Sequence, residues 1–483
     1  MPRTALVWFR NDLRIRDHEA LEYAASHADV VVPVYCFDPR HFGEGMFGLP
    51  KTGPVRARFL RESVQDLRDS LQGLGADLVV RHGPPEDVLP DLVRQTGATE
   101  VCLFEEIGTE EKREEDAVEA ALSDTDAAPA YFWGKTLYHL DDLPLDDSSD
   151  VPDVFTPFRK MCQKRSSIRS TIPAPEALPP LPDGLDAGTI PTLGDLGYDD
   201  DGAVDERSVL PFKGGETRAL TRIRDYIWEA DRLRVYKKTR NGLLGEDYSS
   251  KFSPWLAHGC VSPRTIHDEV KRYEDQRVSN KSTYWLIFEL IWRDFFTFVT
   301  WKAGDTLFHP GGPAGKDKNW RDHPESFDRW AAGTTGIPFV DANMRELNRT
   351  GFMSNRGRQN VASMLSQSLA QDWRKGAAYF EATLVDYDVA SNWGNWAYNS
   401  GVGNDPRDRY FNIVKQARRY DSDGEYVRYW LPELSDVPDQ YVHEPHTMSR
   451  QEQEAAGCIL GADYPHPLVD LDETYARIRR ERD

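Results

Sequence analysis

Four segments of this 483-residue chain carry side chains whose types and spacing could do chemistry. In "DYDVASNWGNWAYNSGVGNDPR" (386–407), Asn392 and Trp396 are four residues apart, so on a helix they share a face. An amide there can meet a ring nitrogen in either protonation state, and an indole beside it can supply an electron, which suits a planar redox cofactor. A polar–aromatic capping cluster is the plainer alternative. In "YWLIFELIWRDFF" (284–296), almost wholly apolar apart from Glu289, Arg293 and Asp294, the residues Glu289, Trp292 and Arg293 stand at i, i+3 and i+4 of a helix. A carboxylate and an indole so placed could hydrogen-bond and stack on a planar heterocycle, whereas an intrahelical Glu–Arg pair beside a core tryptophan would need no ligand.

The third segment, "TGFMSNRGRQNVASMLSQSLAQDWRKGAAYF" (350–380), sets Arg356 and Arg358 near the start of a helix. Two arginines on different faces can do two jobs, one pairing with a buried carboxylate and the other facing a phosphate backbone; plain surface arginines are the alternative. The fourth, "YKKTRNGLLGEDYSSKFSPWLAHGCVSPR" (236–264), contains Ser253-Pro254 and Ser262-Pro263, each a helix-start signature. The hydroxyls of Tyr248, Ser249 and Ser250 precede the first, and such a loop leading into a helix N-terminus can hold phosphates. "PGGPAGKDK" lacks the first Gly and the Ser/Thr of a nucleotide-triphosphate loop. The five cysteines are scattered, with no spacing that suggests a disulfide framework or a metal site.

Positioning such groups takes two kinds of scaffold. Short apolar runs at 5–10, 30–37, 77–83, 101–106 and 130–134 alternate with amphipathic segments. In one of these, 55–75, Phe59, Leu60, Val64, Leu67 and Leu71 recur at helical spacing. The alternation predicts an α/β domain over 1–135 built on a doubly wound parallel sheet. No G-x-G-x-x-G follows the first run, so a dinucleotide site is not signalled there. Residues 136–215 read as a long connector, rich in Pro, Gly and Asp from about 166 and unable to order itself alone. The remainder, 216–483, reads as an all-α domain that holds most of the 13 tryptophans.

With 80 acidic against 59 basic residues the net charge is -21, and only 16 of the basic residues are lysine. Such a surface suits a salt-rich cytosol, where screening relieves self-repulsion; an ordinary acidic protein is the alternative. The overall charge opposes duplex binding, so any nucleic-acid site must be local. Segments 232–240, 355–358 and 415–419 could form a basic rim. No run approaches the ~18 apolar residues of a membrane span and the first residues lack a signal-peptide core, so a cytoplasmic protein is expected.

Together these segments, with "VWFRNDLRIRDHEAL", "YCFDPRHF", "FWGKTLYHLDDLP" and "YVRYWLPEL", resemble the photolyase and cryptochrome family. The likeness runs over nearly the whole chain and is nearest to the cryptochrome DASH branch. It implies FAD bound in the helical domain, with Tyr236 and the loop Ser249, Ser250, Lys251, Phe252 and Ser253 against phosphates and ribose. Arg293, Asn355, Arg358, Asp386, Asp388 and Asn392 would ring the isoalloxazine, Arg358 pairing with Asp386 and Asn392 facing N5. Trp396, Trp373 and Trp320 would relay electrons between flavin and surface. The resemblance also implies light-driven splitting of cyclobutane pyrimidine dimers, in which reduced FAD lends one electron, the ring opens and the electron returns. Glu289 would hydrogen-bond the flipped lesion, Trp292 would stack on it, and Arg240 and Arg356 would meet flanking phosphates.

Two positions depart from the dimer photolyases: Gln359 stands where they carry Met, and Tyr398 where they carry a second pocket Trp. Both match the DASH branch and make the pocket less able to stack on an extruded dimer, which points to single-stranded damaged DNA as the partner. The branch also implies a methenyltetrahydrofolate antenna in the sheet domain, with Glu106 as the contact and Glu105 and Glu110 as rivals. A signalling photoreceptor using the same flavin and tryptophans is the alternative function, and an electron-transfer flavoprotein without DNA is a third. A monomer, with no metal and no membrane partner, is expected.

Overall fold

The computed structural model describes residues 2–199, 202–405, 407 and 410–482; Pro406, within the first quoted segment, lies outside them. Strands β1 (Thr4–Phe9), β2 (Val30–Phe37), β3 (Val79–His82), β4 (Glu100–Phe104) and β5 (Ala128–Phe132) form one sheet in the order β3-β2-β1-β4-β5. Every neighbouring pair is parallel, with Leu6 beside Val32 on one side and Val101 on the other. Strand β1 is central and buried along its whole length, which is why it reads as a continuous apolar run. Helices α1 (Glu19–His27), α2 (Pro54–Gly73), α3 (Pro85–Thr96) and α4 (Thr109–Leu122) cover the two faces. On α2, Phe59, Val64, Leu67 and Leu71 are buried and Leu60 packs at the edge of the same core.

The chain winds outward from β1 through β2 to β3, then returns to the other side of β1 for β4 and β5. That reversal opens a crevice at the carboxyl ends of β1 and β4, the usual ligand position in such sheets.

The connector is ordered by what it lies on. Its helix α5 (Phe155–Arg165) buries Phe155, Phe158 and Cys162 against the long helix α6 (Lys281–Ala303). Residues 166–199 and 202–215 form no helix or strand, yet Leu178, Leu193, Leu196 and Phe212 are buried. Backbone bonds from Leu178 to Leu74 and from Val80 to Ala187, both 2.8 Å, tie this stretch to α2 and β3.

The site sits among α6, α9 (Asn355–Ser363), α10 (Trp373–Thr383) and α11 (Val389–Asn399), with α8 (Pro338–Thr350) packed on α9 and α7 (Pro324–Ala332) on α8. Polar groups bind the two domains. Asp294 of α6, fully buried, accepts from the backbone N–H groups of Leu137 (2.9 Å) and Tyr138 (3.0 Å). Arg264 is buried against Asp17 at 2.8 Å and Glu19 at 3.0 Å. Gly259, at φ +64, lies so close to Asn11 that a Cβ would stand 2.0 Å from its carbonyl oxygen. The segment "RNDLRIRD" is thus the seam between domains. All five cysteines are free and buried, and no helix among the described residues is long and apolar enough to cross a membrane.

Candidate functional site

One cavity of about 490 Å³ in the helical domain gathers residues from five separate segments. Tyr236, Ser249, Ser250, Lys251, Phe252, Ser253, Arg293, Asn355, Arg358, Asp386, Asn392 and Trp396 line it, and so do Arg240, Glu289, Trp292, Gln359 and Tyr398. Its volume falls within the ~300–1,000 Å³ usual for cofactor sites.

The loop that enters the helix Ser253–Ala257 has Lys251 at φ +55, in the left-handed region, and lines the cavity from Tyr248 to Ser253. Lys251 Nζ donates to the carbonyls of Gly245 (3.2 Å) and Glu246 (2.7 Å), and burial, then Arg222, pulls its pKa down to about 6. Tyr248 Oη, also on the wall, is buried with no hydrogen-bond partner among the described residues, a donor left for a ligand. Across the cavity Arg358 donates to both oxygens of buried Asp386, at 2.9 and 2.8 Å, while its Nε is held by the Met353 carbonyl at 3.0 Å. Asn392 anchors its amide nitrogen on the Ala377 carbonyl at 3.0 Å, leaving the amide oxygen as the end to present. Arg293 is fixed by the carbonyls of Lys135 (2.5 Å) and Leu256 (3.1 Å).

Glu289 and Arg240 form an ion pair at 2.8 Å, so neither is a lone group awaiting a ligand. Burial raises the pKa of Glu289 and Arg240 only partly offsets it. Trp292 stacks on Phe155 with centroids 3.7 Å apart and planes at 8°, and Tyr398 meets it edge-on at 6.0 Å. The connector therefore covers one face of the tryptophan. Arg356 does not line the cavity: it bonds Gln359 (2.8 Å), Gln416 (3.1 Å) and Asn241 (3.1 Å) above the ring of Tyr420. The basic rim is also weaker than its arginine count suggests, because Arg232, Arg234, Arg240 and Arg418 are all ion-paired.

Trp396 lies against α10 at Gly376, where a Cβ would stand 2.2 Å from its ring. Trp373 is one turn earlier on α10 and fully buried; its Nε1 and that of half-buried Trp320 both donate to the Pro310 carbonyl at 3.0 Å. Trp373 and Trp320 thus share one carbonyl, and exposure rises from buried Trp396 and Trp373 to half-buried Trp320.

Two expectations need correction. Asp388 does not line this cavity; it caps α11 by accepting from Ser391 N–H at 2.8 Å and lines a second cavity between the domains. Burial disfavours its carboxylate, but Arg293 and Lys135 outweigh that and hold its pKa below the usual range. Helix α11 is therefore a party wall, with Asn392 and Trp396 on one side and Asp388 and Trp393 on the other. The second cavity, about 400 Å³, lies at the carboxyl ends of β1 and β2, beside the crevice between β1 and β4 rather than in it. Glu106 does not reach it, being buried in an ion pair with Lys135; Lys135, Glu110 and Glu111 line it instead. At its rim Asp38, His41 and Glu114 approach within 4.8 Å, but Arg40 neutralises Asp38 and His41 pairs with Glu114.

Glu346 had no sequence signal. It is buried on α8, accepts from Tyr426 Oη at 2.7 Å, and burial pushes it up to about 8 within electrostatic reach of Lys251 and Arg358. An acid in an amphipathic helix ordinarily faces water, so only the fold reveals it.

Residues 285–482 match the family model described as the FAD binding domain of DNA photolyase, and residues 5–180 match DNA photolyase. The chain is 55% identical over 472 residues to a cryptochrome DASH of Natronomonas pharaonis, spanning 98% of this chain and 99% of that one. It superposes on the crystal structure of a Synechocystis cryptochrome with a TM-score of 0.96 at 51% identity, over 99% of each chain. A Sulfolobus tokodaii photolyase, described with two FAD molecules and a novel light-harvesting cofactor, gives 0.79 at 25% identity over 99% of each. The hydroxyl-rich loop around Lys251, the Tyr248 hydroxyl and the Arg358–Asp386 pair fit the FAD that this family binds. The chain belongs to the photolyase and cryptochrome family and, within it, to the cryptochrome DASH branch.

Proposed function

We propose that the protein is a light-driven lyase that splits cyclobutane pyrimidine dimers, preferentially in single-stranded DNA. The observation that carries this reading is the sharing of one cavity by two sets of residues. Arg358, Asp386 and Asn392 suit a flavin, while Glu289, Trp292, Gln359 and Tyr398 suit a planar lesion beside it. When bound, reduced FAD supplies one electron on excitation and takes it back, so no net redox change is needed.

The chain's own part is to hold and orient. Glu289, with its raised pKa, keeps a proton nearer neutrality than a free carboxyl and can donate it in a hydrogen bond to a base carbonyl, replacing Arg240 as partner. Trp292, backed by Phe155, offers its remaining face for stacking. Extrusion from a duplex costs a few kcal/mol, and Gln359 and Tyr398 supply less stacking to offset it, so a single strand is the easier substrate.

The cavity between the domains suits an antenna such as methenyltetrahydrofolate. Glu110, Glu111 and Lys135 are the polar contacts in place of Glu106, and burial raises Glu111 to about 7. A cytoplasmic monomer completes the proposal.

The test is blue-light repair, by photoreduced protein in concentrated KCl, of one thymine dimer in matched single-stranded and duplex oligonucleotides. Repair of the single strand only is expected. Equal repair of both would refute the strand preference, and repair of neither, with normal flavin photoreduction, would favour a signalling photoreceptor.

A further inference from the structure

A line of aromatic rings leads away from Trp396 by a path that Trp373 and Trp320 do not use. Trp396 meets Trp330 of α7 edge-to-face, with centroids 6.0 Å apart and planes at 74°. Trp330 is fully buried, its Nε1 donating to the Val361 carbonyl at 2.9 Å. Its neighbour outward is Tyr379 of α10, at 5.6 Å and 68°. The Tyr379 phenol donates to Asn348 Oδ1 at 2.7 Å and to the Ala331 carbonyl at 3.2 Å, and Asn348 is exposed. Three rings in van der Waals contact thus join the wall of the flavin cavity to solvent.

We infer that Trp330 and Tyr379 form a second electron-supply route to the cavity, branching from the relay at Trp396 and opening at Asn348 rather than at Trp320. The inference rests on the reading of Trp396 as the indole that feeds the flavin. Trp396 gives one electron to the photoexcited oxidised flavin, Trp330 gives one to the Trp396 cation, and Tyr379 gives one to the Trp330 cation. Burial of Trp330 leaves its cation without solvent to stabilise it, so it is a transit point. Tyr379 is the terminus because it can shed a proton. Burial keeps its phenol neutral, with a pKa of about 12, so electron and proton leave together, the proton passing to water at the exposed Asn348 amide. A thiol in solution then returns one hydrogen atom to the tyrosyl radical.

The chemical difference between tyrosyl and tryptophanyl radicals makes the branch testable by transient absorption and electron paramagnetic resonance of flavin-loaded protein. In Trp373→Phe the inner relay is cut, and continued flavin photoreduction with a tyrosyl signal is expected. In the Trp373→Phe, Tyr379→Phe double variant both should fall at least tenfold. Phenylalanine keeps the packing at each position, and flavin loading together with circular dichroism reports the fold. Loss of all photoreduction in Trp373→Phe would overturn the branch, as would a double variant indistinguishable from the single one. Undiminished photoreduction in Trp396→Phe would instead overturn the relay reading on which the branch depends.

Discussion

Arg358 and Asp386 show how one pair can set a site's order. The carboxylate is buried and receives both of its short bonds from one guanidinium, so removing its charge leaves a cation without its partner in the cavity wall. Asp386→Asn is expected to weaken FAD binding by about 2 kcal/mol or more, roughly thirty-fold, in a fluorescence titration. Lys251 gives the site a pH dependence. Its pKa of about 6 in the free cavity means that phosphates placed beside it must bring a proton with them at higher pH. Below pH about 6 the lysine is already charged and affinity is at its plateau; above it, affinity falls by up to about tenfold per unit. Titrations from pH about 5.5 to about 8 should show that slope, and Lys251→Met should flatten it.

At the scale of elements, α6 and α10 act as positioning devices. Asp294 ties α6 to the start of the connector through two backbone N–H groups in a buried seam. Asp294→Ala orphans both and should lower unfolding stability by about 2–4 kcal/mol in denaturant titration, without altering any group in the cavity. Its pKa, raised to about 7 by burial, sets the sign of a second effect. Its contribution is fully present below the ordinary carboxyl range and declines as pH rises through about 7. On α10, Gly376 is where the Trp396 ring rests. Gly376→Ala would help an isolated helix by about 1 kcal/mol, but here the methyl group meets Trp396 at 2.2 Å and Leu365 at 2.6 Å. Overpacking of about 1–3 kcal/mol should win, lowering the melting temperature and slowing photoreduction together.

For the whole molecule the governing quantity is the charge of -21. Raising KCl from about 0.1 M to about 1 M shortens the Debye length from about 10 Å to about 3 Å, so repulsion across the acidic surface falls more than the exposed ion pairs lose. The melting temperature should rise over that range; a flat or falling curve would mark the surface as that of an ordinary acidic protein. Sequence alone determined the architecture, because burial on two faces forces continuous apolar strands and burial on one face forces helical periodicity. It also determined the cavity's residue types, since Asn392 with Trp396, and Glu289 with Trp292, are fixed relative to each other by helix geometry. Only the tertiary structure decided which side of a shared wall each residue serves. Asp388 and Trp393 face the cleft although they neighbour Asn392, and Glu106 is spent on Lys135. The stacking of Phe155 on Trp292 and the approach of Trp330 to Trp396 likewise join segments far apart in the chain. Spacing along a helix encodes neighbours within an element, whereas contacts between elements depend on how whole faces pack, which no local pattern contains.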